Sequence, residues 1–531
     1  MDTKALRQKI LDLAIRGKLV PQDSNDEPAS VLLERIRQQK QQMVKEGKLK
    51  PKDIKNDSVI FAGEDNLHYE KFSDGSVKCI EDEIPFELPD GWAWARLGTV
   101  VTFVGGYAYK SNRYVQHSNN LLIRIGNVKN NSLTPHVAKT CISDEYAAET
   151  SGYRLRVNDI LFTMTGTRGK RDYFFSCLIK KEDLSGANLF LNQRVGCLRL
   201  IDTKLMIPDY FVEAIQSSCV LDAIFATETG NVNQGNIGST ATLNLLIPVP
   251  PTSEQYKIFE RTYSLISSID QYDIESAELL CLIHAIKSKI LDLAIRGQLV
   301  PQAPADEPAS VLLERIRTEK EELIRQGKIK RDKKESVIFR GEDNSYYEKI
   351  GDKVENISDE IPFELPDGWA FVRLKELCEL VSGRDLSPSE YNADGDGIPY
   401  ITGASNFASG KVSLVRWTTT PRVITEAGDL LLTCKGTIGG MAFNDFGNAH
   451  IARQIMAIRN TFALNSEYLA LCMGFYINAI KGAAKGLIPG ISREDILNLI
   501  LPVPSLNYQA KVAEQVAEVT NIFSAIEKSL S

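Results

Sequence analysis

The chain has little material for chemistry of its own. It holds five dispersed histidines and nine cysteines without a single C-x-x-C pair. An odd, scattered cysteine set argues against a secreted disulfide framework and against a thiolate zinc site, and so few histidines argue against a His-rich metal centre. The N-terminus, MDTKALRQK, lacks the apolar core of a signal segment. The longest uncharged stretch near the other end, Tyr468 to Ile480, is too short to span a bilayer. With 36 Gly and 21 Pro in 531 residues, the chain is far from collagen-like or low-complexity composition. An excess of positive charge is missing too: 62 Lys and Arg face 69 Asp and Glu, for a net charge of −7 and a pI near 5.6. A nucleic-acid partner usually leaves a basic footprint. Any such face here must be built locally, against an acidic background. What remains is ordinary globular composition, 43% hydrophobic and 25% charged. At roughly 100–200 residues per domain the length suits three or four structural units. The expectation is a reduced, cytoplasmic protein with no membrane contact.

The chain repeats itself. KILDLAIRG occurs at Lys9–Gly17 and Lys289–Gly297, and DEPASVLLERIR at Asp26–Arg37 and Asp306–Arg317, both at an offset of 280. EIPFELPDGWA follows at Glu83–Ala93 and Glu360–Ala370, offset 277, and LNLLIPVP at Leu243–Pro250 matches LNLILPVP at Leu497–Pro504, offset 254. The first copy therefore carries about 23 more residues between the last two markers. Nearly identical frames bracket two divergent inserts, 94–242 and 371–496. Inside them only echoes survive, such as NDILFTMTGT at Asn158–Thr167 against GDLLLTCKGT at Gly428–Thr437. Uneven drift after a duplication is one reading. Two specificity modules on one scaffold is the sharper one.

Thr252 to Arg296 contains neither Pro nor Gly, and as one helix it would span about 67 Å. Leu279, Ile283, Ile286, Ile290 and Leu293 follow the 4-3-4-3 spacing of a coiled-coil seam, as do Val512, Val516, Val519, Phe523 and Ile526. The last helix, about 506–531, corresponds to the first part of the central one, and the first helix, about 3–17, to its last part. The two ends would rebuild a split copy of the central helix. Paired antiparallel with it, they would close a pseudo-two-fold ring. A further helix in each frame is expected from Asp26–Pro28 and Asp306–Pro308, with Asp as N-cap and Pro in the first turn, ending at Gly47 and Gly327.

LDLAIRGKLVPQ, LLERIR followed by a charged helix and Gly-Lys, and P-x-GW ahead of each insert resemble the specificity subunit of type I restriction–modification enzymes. The resemblance covers nearly the whole chain, and the N-terminal frame is similar to the subfamily that begins with a conserved helical region. It implies a mixed α/β fold with two target recognition domains joined by a long antiparallel coiled coil in a pseudo-two-fold repeat. The implied division is an N-terminal helical region (1–82), recognition domain one (83–250), a central region with the long helix (251–359), recognition domain two (360–504) and a C-terminal helix (505–531). Each recognition domain would read one half of an asymmetric, two-part target in double-stranded DNA. The helices would set the spacer and dock two methyltransferase subunits, and two restriction subunits would complete the cleaving enzyme. This chain would bind no cofactor. S-adenosylmethionine would belong to the methyltransferase, and ATP and Mg to the restriction subunit.

The resemblance implies a chain without an active site, and the motifs agree. The N/D-P-P-Y/F loop of an adenine methyltransferase is absent, and FVGG at Phe103–Gly106 is a poor cofactor loop. TGTRGKRD at Thr165–Asp172 lacks the first Gly of a P-loop and has Arg171 where Ser or Thr is required. Pro89–Asp90 and Pro366–Asp367 sit in P-D-G-W turns rather than in a nuclease motif.

Base edges are read by Arg, Lys, Asn and Gln, and phosphates are held by Lys, Arg, Ser, Thr and backbone N–H groups. Loops bearing these groups are the candidate DNA-binding sites. In the first insert they carry Tyr107, Tyr109, Lys110 and Arg113; Arg124 and Asn127; Thr167, Arg168, Lys170 and Arg171; Asn192, Gln193 and Arg194; and Asn233 and Gln234. In the second insert they carry Arg384, Ser405, Asn406, Lys435, Thr437, Arg453, Gln454 and Lys485. For any one loop a plain surface turn is the competing reading. A coiled-coil adaptor that binds proteins remains the alternative for the whole chain, favoured by its acidic charge.

Overall fold

The computed structural model describes all residues except 1, 232, 330, 332–334, 409–410, 463, 484–489 and 531. It divides into two compact units, Met1–Glu275 and Ser276–Ser531, so each holds one insert together with its frame.

In the first unit the N-terminal helix Thr3–Ile15 lies antiparallel to the start of the long helix Thr252–Ile295. Arg7 pairs with Asp270 (2.5 Å) and Asp273 (2.8 Å), while Ala14 and Ile15 share a core with Ile258. In the second unit the C-terminal helix Leu506–Leu530 runs antiparallel to the end of the long helix. Its Glu527 meets Lys287 at 2.8 Å, and Tyr508 donates to the Val300 carbonyl just beyond that helix. The heptad residues Val512 and Val516 are buried, and Val519, Phe523 and Ile526 half-buried. That is the burial expected of a two-helix seam open on its outer side.

The frames owe their repetition to specific contacts. LDLAIRG ends in a glycine at φ +63 (Gly17) and +70 (Gly297), a left-handed stop against which the P-D-G-W turn packs. The next helices, Ala29–Lys45 and Ala309–Arg325, correct the expected capping: Asp26 and Asp306 are not their N-caps. Pro occupies the cap position and has no side-chain acceptor. The first free N–H groups, of Ala29 and Ala309, donate instead to the carbonyls of Gly91 and Gly368 in the P-D-G-W turns, at 2.8 and 2.7 Å. A three-stranded sheet follows in each frame, 58–79 and 336–356. It is tied down by Arg96 on Glu70 and Glu83 in one unit and by Arg373 on Glu348 and Glu360 in the other, at 2.7 and 2.8 Å in both.

The inserts share a topology that their sequences conceal. Each contains a four-stranded antiparallel sheet: 176–178, 160–163, 195–200, 101–105 in one, and 441–443, 430–433, 455–460, 378–382 in the other. Each also has a second four-stranded sheet containing one parallel pair, 120–123 with 188–191 and 398–401 with 449–451. The strands ILFT (160–163) and LLLT (430–433) are buried throughout, as continuous apolar runs covered on both faces should be. One glutamine moors each insert to its helix. Gln255 accepts from the Ile207 N–H and donates to the Pro250 carbonyl, and Gln509 does the same with Asn465 and Pro504. Among the described residues no helix is long and apolar enough to cross a membrane.

Candidate nucleic-acid interface

In the first unit, the ends of strands 101–105 and 160–163 and the start of 195–200 lie at one end of their sheet, because Gly105 faces Gly196 and Thr163 faces Val195. The loops leaving that end are joined by main-chain bonds. Met164 N–H donates to the Arg194 carbonyl (2.9 Å), Ile237 N–H to the Met164 carbonyl (3.0 Å), and Gln193 N–H to the Tyr107 carbonyl (2.8 Å). Asn192 N–H reaches the Ile123 carbonyl, which brings in the loop that begins at Arg124. Gly106 passes so close to the Asn192 backbone that a Cβ would not fit, and Arg194 adopts φ +72 to make the turn. Thr165–Gly166 adds an edge to the two-stranded ribbon 229–231/234–236. Tyr107, Arg124, Thr167, Arg168, Lys170, Gln193, Arg194 and Gln234 thus come together, with the exposed Asn233 at the ribbon's tip.

The second unit repeats the scheme. Cys434 N–H donates to the Gln454 carbonyl (2.8 Å), Ile491 N–H to the Cys434 carbonyl (2.9 Å), and Arg384 N–H to the Ile451 carbonyl (2.9 Å). Ala452 N–H bonds the Ile401 carbonyl, which sets the loop of Ser405 beside Arg453 and Gln454. Arg384, Ser405, Lys435, Thr437, Arg453 and Gln454 are all exposed at this end. Lys485 lies outside the described residues.

Four expected readers face inward instead. Asn127 and Asn406 are 4% and 1% exposed. Asn127 Oδ1 accepts from the Arg124 N–H, and its Nδ2 donates to the carbonyls of Thr134 and Val137. Asn406 Oδ1 accepts from the N–H groups of Thr402 and Gly403, and its Nδ2 donates to the Ser413 carbonyl. Both amides are spent on closing their own loops. Tyr109 is buried against Tyr107 and Tyr146, and Asn192 is buried beneath the glycine turn.

Several arginines are already engaged. Arg113 pairs with Glu149 (2.7 Å) and lies over the Tyr146 ring, and its bonds hold the Glu149 carboxyl below its usual range. Arg171 pairs with Asp222 (2.6 Å) and Arg453 with Asp385 (2.7 Å). These exposed pairs are weak enough for a phosphate to displace the carboxylate. Lys170, Gln193 and Arg194 project into solvent.

Three supporting residues escaped the sequence reading. Glu228 accepts from Tyr173 and from Gly169, and its only signal in the sequence is an acid placed just before the amide-rich loop. The Tyr173 hydroxyl is pushed well above its ordinary range by burial and then by Glu228. His450, the sole histidine of the second insert, is fully buried, with Nε2 2.9 Å from the Arg384 carbonyl. Among the described residues no group of three His, Cys, Asp or Glu is placed to hold a metal ion.

Residues 89–278 and 366–531 match the type I restriction modification DNA specificity domain. The chain belongs to that family. It is 25% identical to the type I restriction enzyme EcoEI specificity subunit of Escherichia coli, over 99% of this chain and 90% of the relative. It is 28% identical to the EcoAI specificity subunit of the same organism, over 72% of this chain and 63% of the relative. A chain solved in a study of complex assembly and conformational transition of the type I R-M system shares the fold at a TM-score of 0.53 and 17% identity, covering 84% of this chain and 94% of that one. The family's matched segments each begin in a P-D-G-W turn and take in the converging loops of one unit, so each unit carries one specificity domain.

Proposed function

We propose that this type I specificity chain reads a two-part DNA target, one half with each unit, and has no catalytic step of its own. The observation that carries this reading is the recurrence of one loop arrangement on unlike side chains. Main-chain bonds at Met164, Arg194 and Ile237 recur at Cys434, Gln454 and Ile491, yet the exposed residues they present differ. That is what two readers of different sequences on one scaffold require. The five-segment division into helical frames and recognition domains belongs to this reading. So does the long antiparallel coiled coil with its pseudo-two-fold repeat, supported in each unit by an antiparallel pairing on the long helix. The helices set the spacer and dock two methyltransferase subunits, and restriction subunits add to that core. S-adenosylmethionine, ATP and Mg serve those partners, and the assembly works in the cytoplasm. Two half-sites on one frame gain through effective concentration once the first is bound.

The test is a methylome by long-read sequencing. Cells express this chain with the methyltransferase subunit encoded beside it, and control cells lack the chain. The expected result is a two-part adenine-methylated motif that vanishes in the control. An absent motif, with both proteins soluble and associated, overturns the reading in favour of the protein-binding adaptor that the acidic charge would suit.

A further inference from the structure

The loop 165–173 is held in one shape from several sides. Thr167 N–H donates to Asp172 Oδ1 (2.7 Å), closing the loop on itself. Arg168 Nη1 donates to the Gly230 carbonyl (2.9 Å), which ties the guanidinium to the backbone of the ribbon 229–231/234–236. Behind both stands Glu228. Its Oε1 accepts from the Tyr173 hydroxyl (2.6 Å), and its Oε2 accepts from the Gly169 N–H (3.1 Å), one residue from Arg168. The carboxylate occupies the space that a Cβ at Gly235 would need, which is why the facing ribbon position is glycine. The guanidinium makes no other hydrogen bond to a described residue, so the rest of its fork faces outward.

A two-stranded ribbon is one of the elements that the B-DNA major groove admits, and the commonest base contact there is an arginine fork on the O6 and N7 of guanine. We infer that Glu228 is a positioning residue for sequence reading: it locks the Arg168 loop to the ribbon, so that ribbon and arginine enter the groove as one rigid head that reads a guanine. This rests on the DNA-reading function proposed above and assigns one position of one half-site. A reading arginine left free would swing to the nearest phosphate, which carries no sequence information. Strapped to the Gly230 carbonyl, with its loop pinned at Gly169 by Glu228, Arg168 is held off the DNA backbone and presented to a base edge.

The experiment uses the full chain assembled with its methyltransferase subunit. Once the unaltered chain has given its two-part motif, Arg168→Ala, Glu228→Ala, the double variant and Tyr173→Phe are compared. The readouts are methylomes and binding to duplexes that differ from the motif at one base pair. Arg168→Ala is expected to relax one G·C pair, with discrimination there falling by about 5- to 150-fold. Glu228→Ala is expected to relax the same pair, and the double variant to be no worse than Arg168→Ala alone, because the two residues act through one contact. Tyr173→Phe, which leaves the Gly169 bond, gives a smaller relaxation at that pair and serves if Glu228→Ala does not assemble. The half-site read by the second unit stays unchanged in every variant. A purely structural role predicts weaker binding to every sequence, unaltered preference at each position and additive losses. That result overturns the inference while leaving the proposed function standing. The absence of any two-part motif from the unaltered chain overturns both.

Discussion

Glu213 lies on the helix Pro208–Ile215, buried at 8% exposure opposite Thr262 of the long helix. Glu213 Oε2 and Thr262 Oγ1 lie close to each other, and among the described residues neither finds a hydrogen bond of full geometry. Burial raises the carboxyl to about 9 from its usual 4.5, against a downward pull from the Thr262 hydroxyl and with a smaller push from Asp209. Between those values the folded unit holds a proton that the unfolded chain has released. Unfolding therefore liberates a proton, and rising pH favours it. The slope is about 1.4 kcal/mol per pH unit, so at pH 7 the carboxyl costs about 3 kcal/mol relative to a group that does not titrate, falling below ~1 kcal/mol at pH 5. The molecule supplies its own remedy. Tyr210 and Tyr468 each donate to a proline carbonyl, of Pro248 and Pro502, and aligning them sets Leu471 in the place of Glu213. The matched glutamines, Gln255 and Gln509, likewise set Val516 in the place of Thr262. Glu213→Leu with Thr262→Val should raise the urea midpoint of the first unit at pH 8 by more than at pH 5. Hydrogen exchange over 208–215 and 252–265 would locate the gain. Parallel pH profiles for the two proteins, or a variant less stable at pH 8, would refute the reasoning.

Other perturbations separate structural roles from reading roles. Asn406→Ala leaves the N–H groups of Thr402 and Gly403 unpaired, so urea unfolding should show a loss of about 1–3 kcal/mol, and the methylome should lose stringency over a whole half-site rather than at one base. Arg96→Ala strands the buried Glu70 and should cost about 3–5 kcal/mol, visible as a lower thermal midpoint at pH 7; an unchanged midpoint would deny the tie between sheet and frame. Seven residues inserted in the long helix add about 10 Å, or about three base pairs, and should lengthen the preferred spacer with both half-sites intact. An altered half-site at constant spacer would contradict the ruler role.

The frames were legible because their residues do specific jobs. Gly17 and Gly297 must adopt positive φ, and the heptad residues Val512 and Val516 must be covered, so glycine and valine stand where a reader of periodicity looks for them. The helix caps were misread because the partner of Ala29 is the Gly91 carbonyl, a main-chain group contributed from 62 residues away that leaves no local mark. The inserts conceal their kinship for the same physical reason. Their converging loops are held by backbone donors and acceptors, at Met164 and Arg194 in one and at Cys434 and Gln454 in the other, and nearly any side chain can supply those groups. Asn127 and Asn406 show the limit of reading by residue type. A polar side chain suited to a base edge is equally suited to three backbone groups, and only burial distinguishes the two uses. Main-chain mooring also frees the exposed side chains from the burden of folding. Gln193 in one unit, or Arg453 and Gln454 in the other, can be exchanged while the bonds that shape their loops persist. A scaffold fastened in this way can carry two unlike readers on one architecture, which is the property that a chain recognising a two-part target needs.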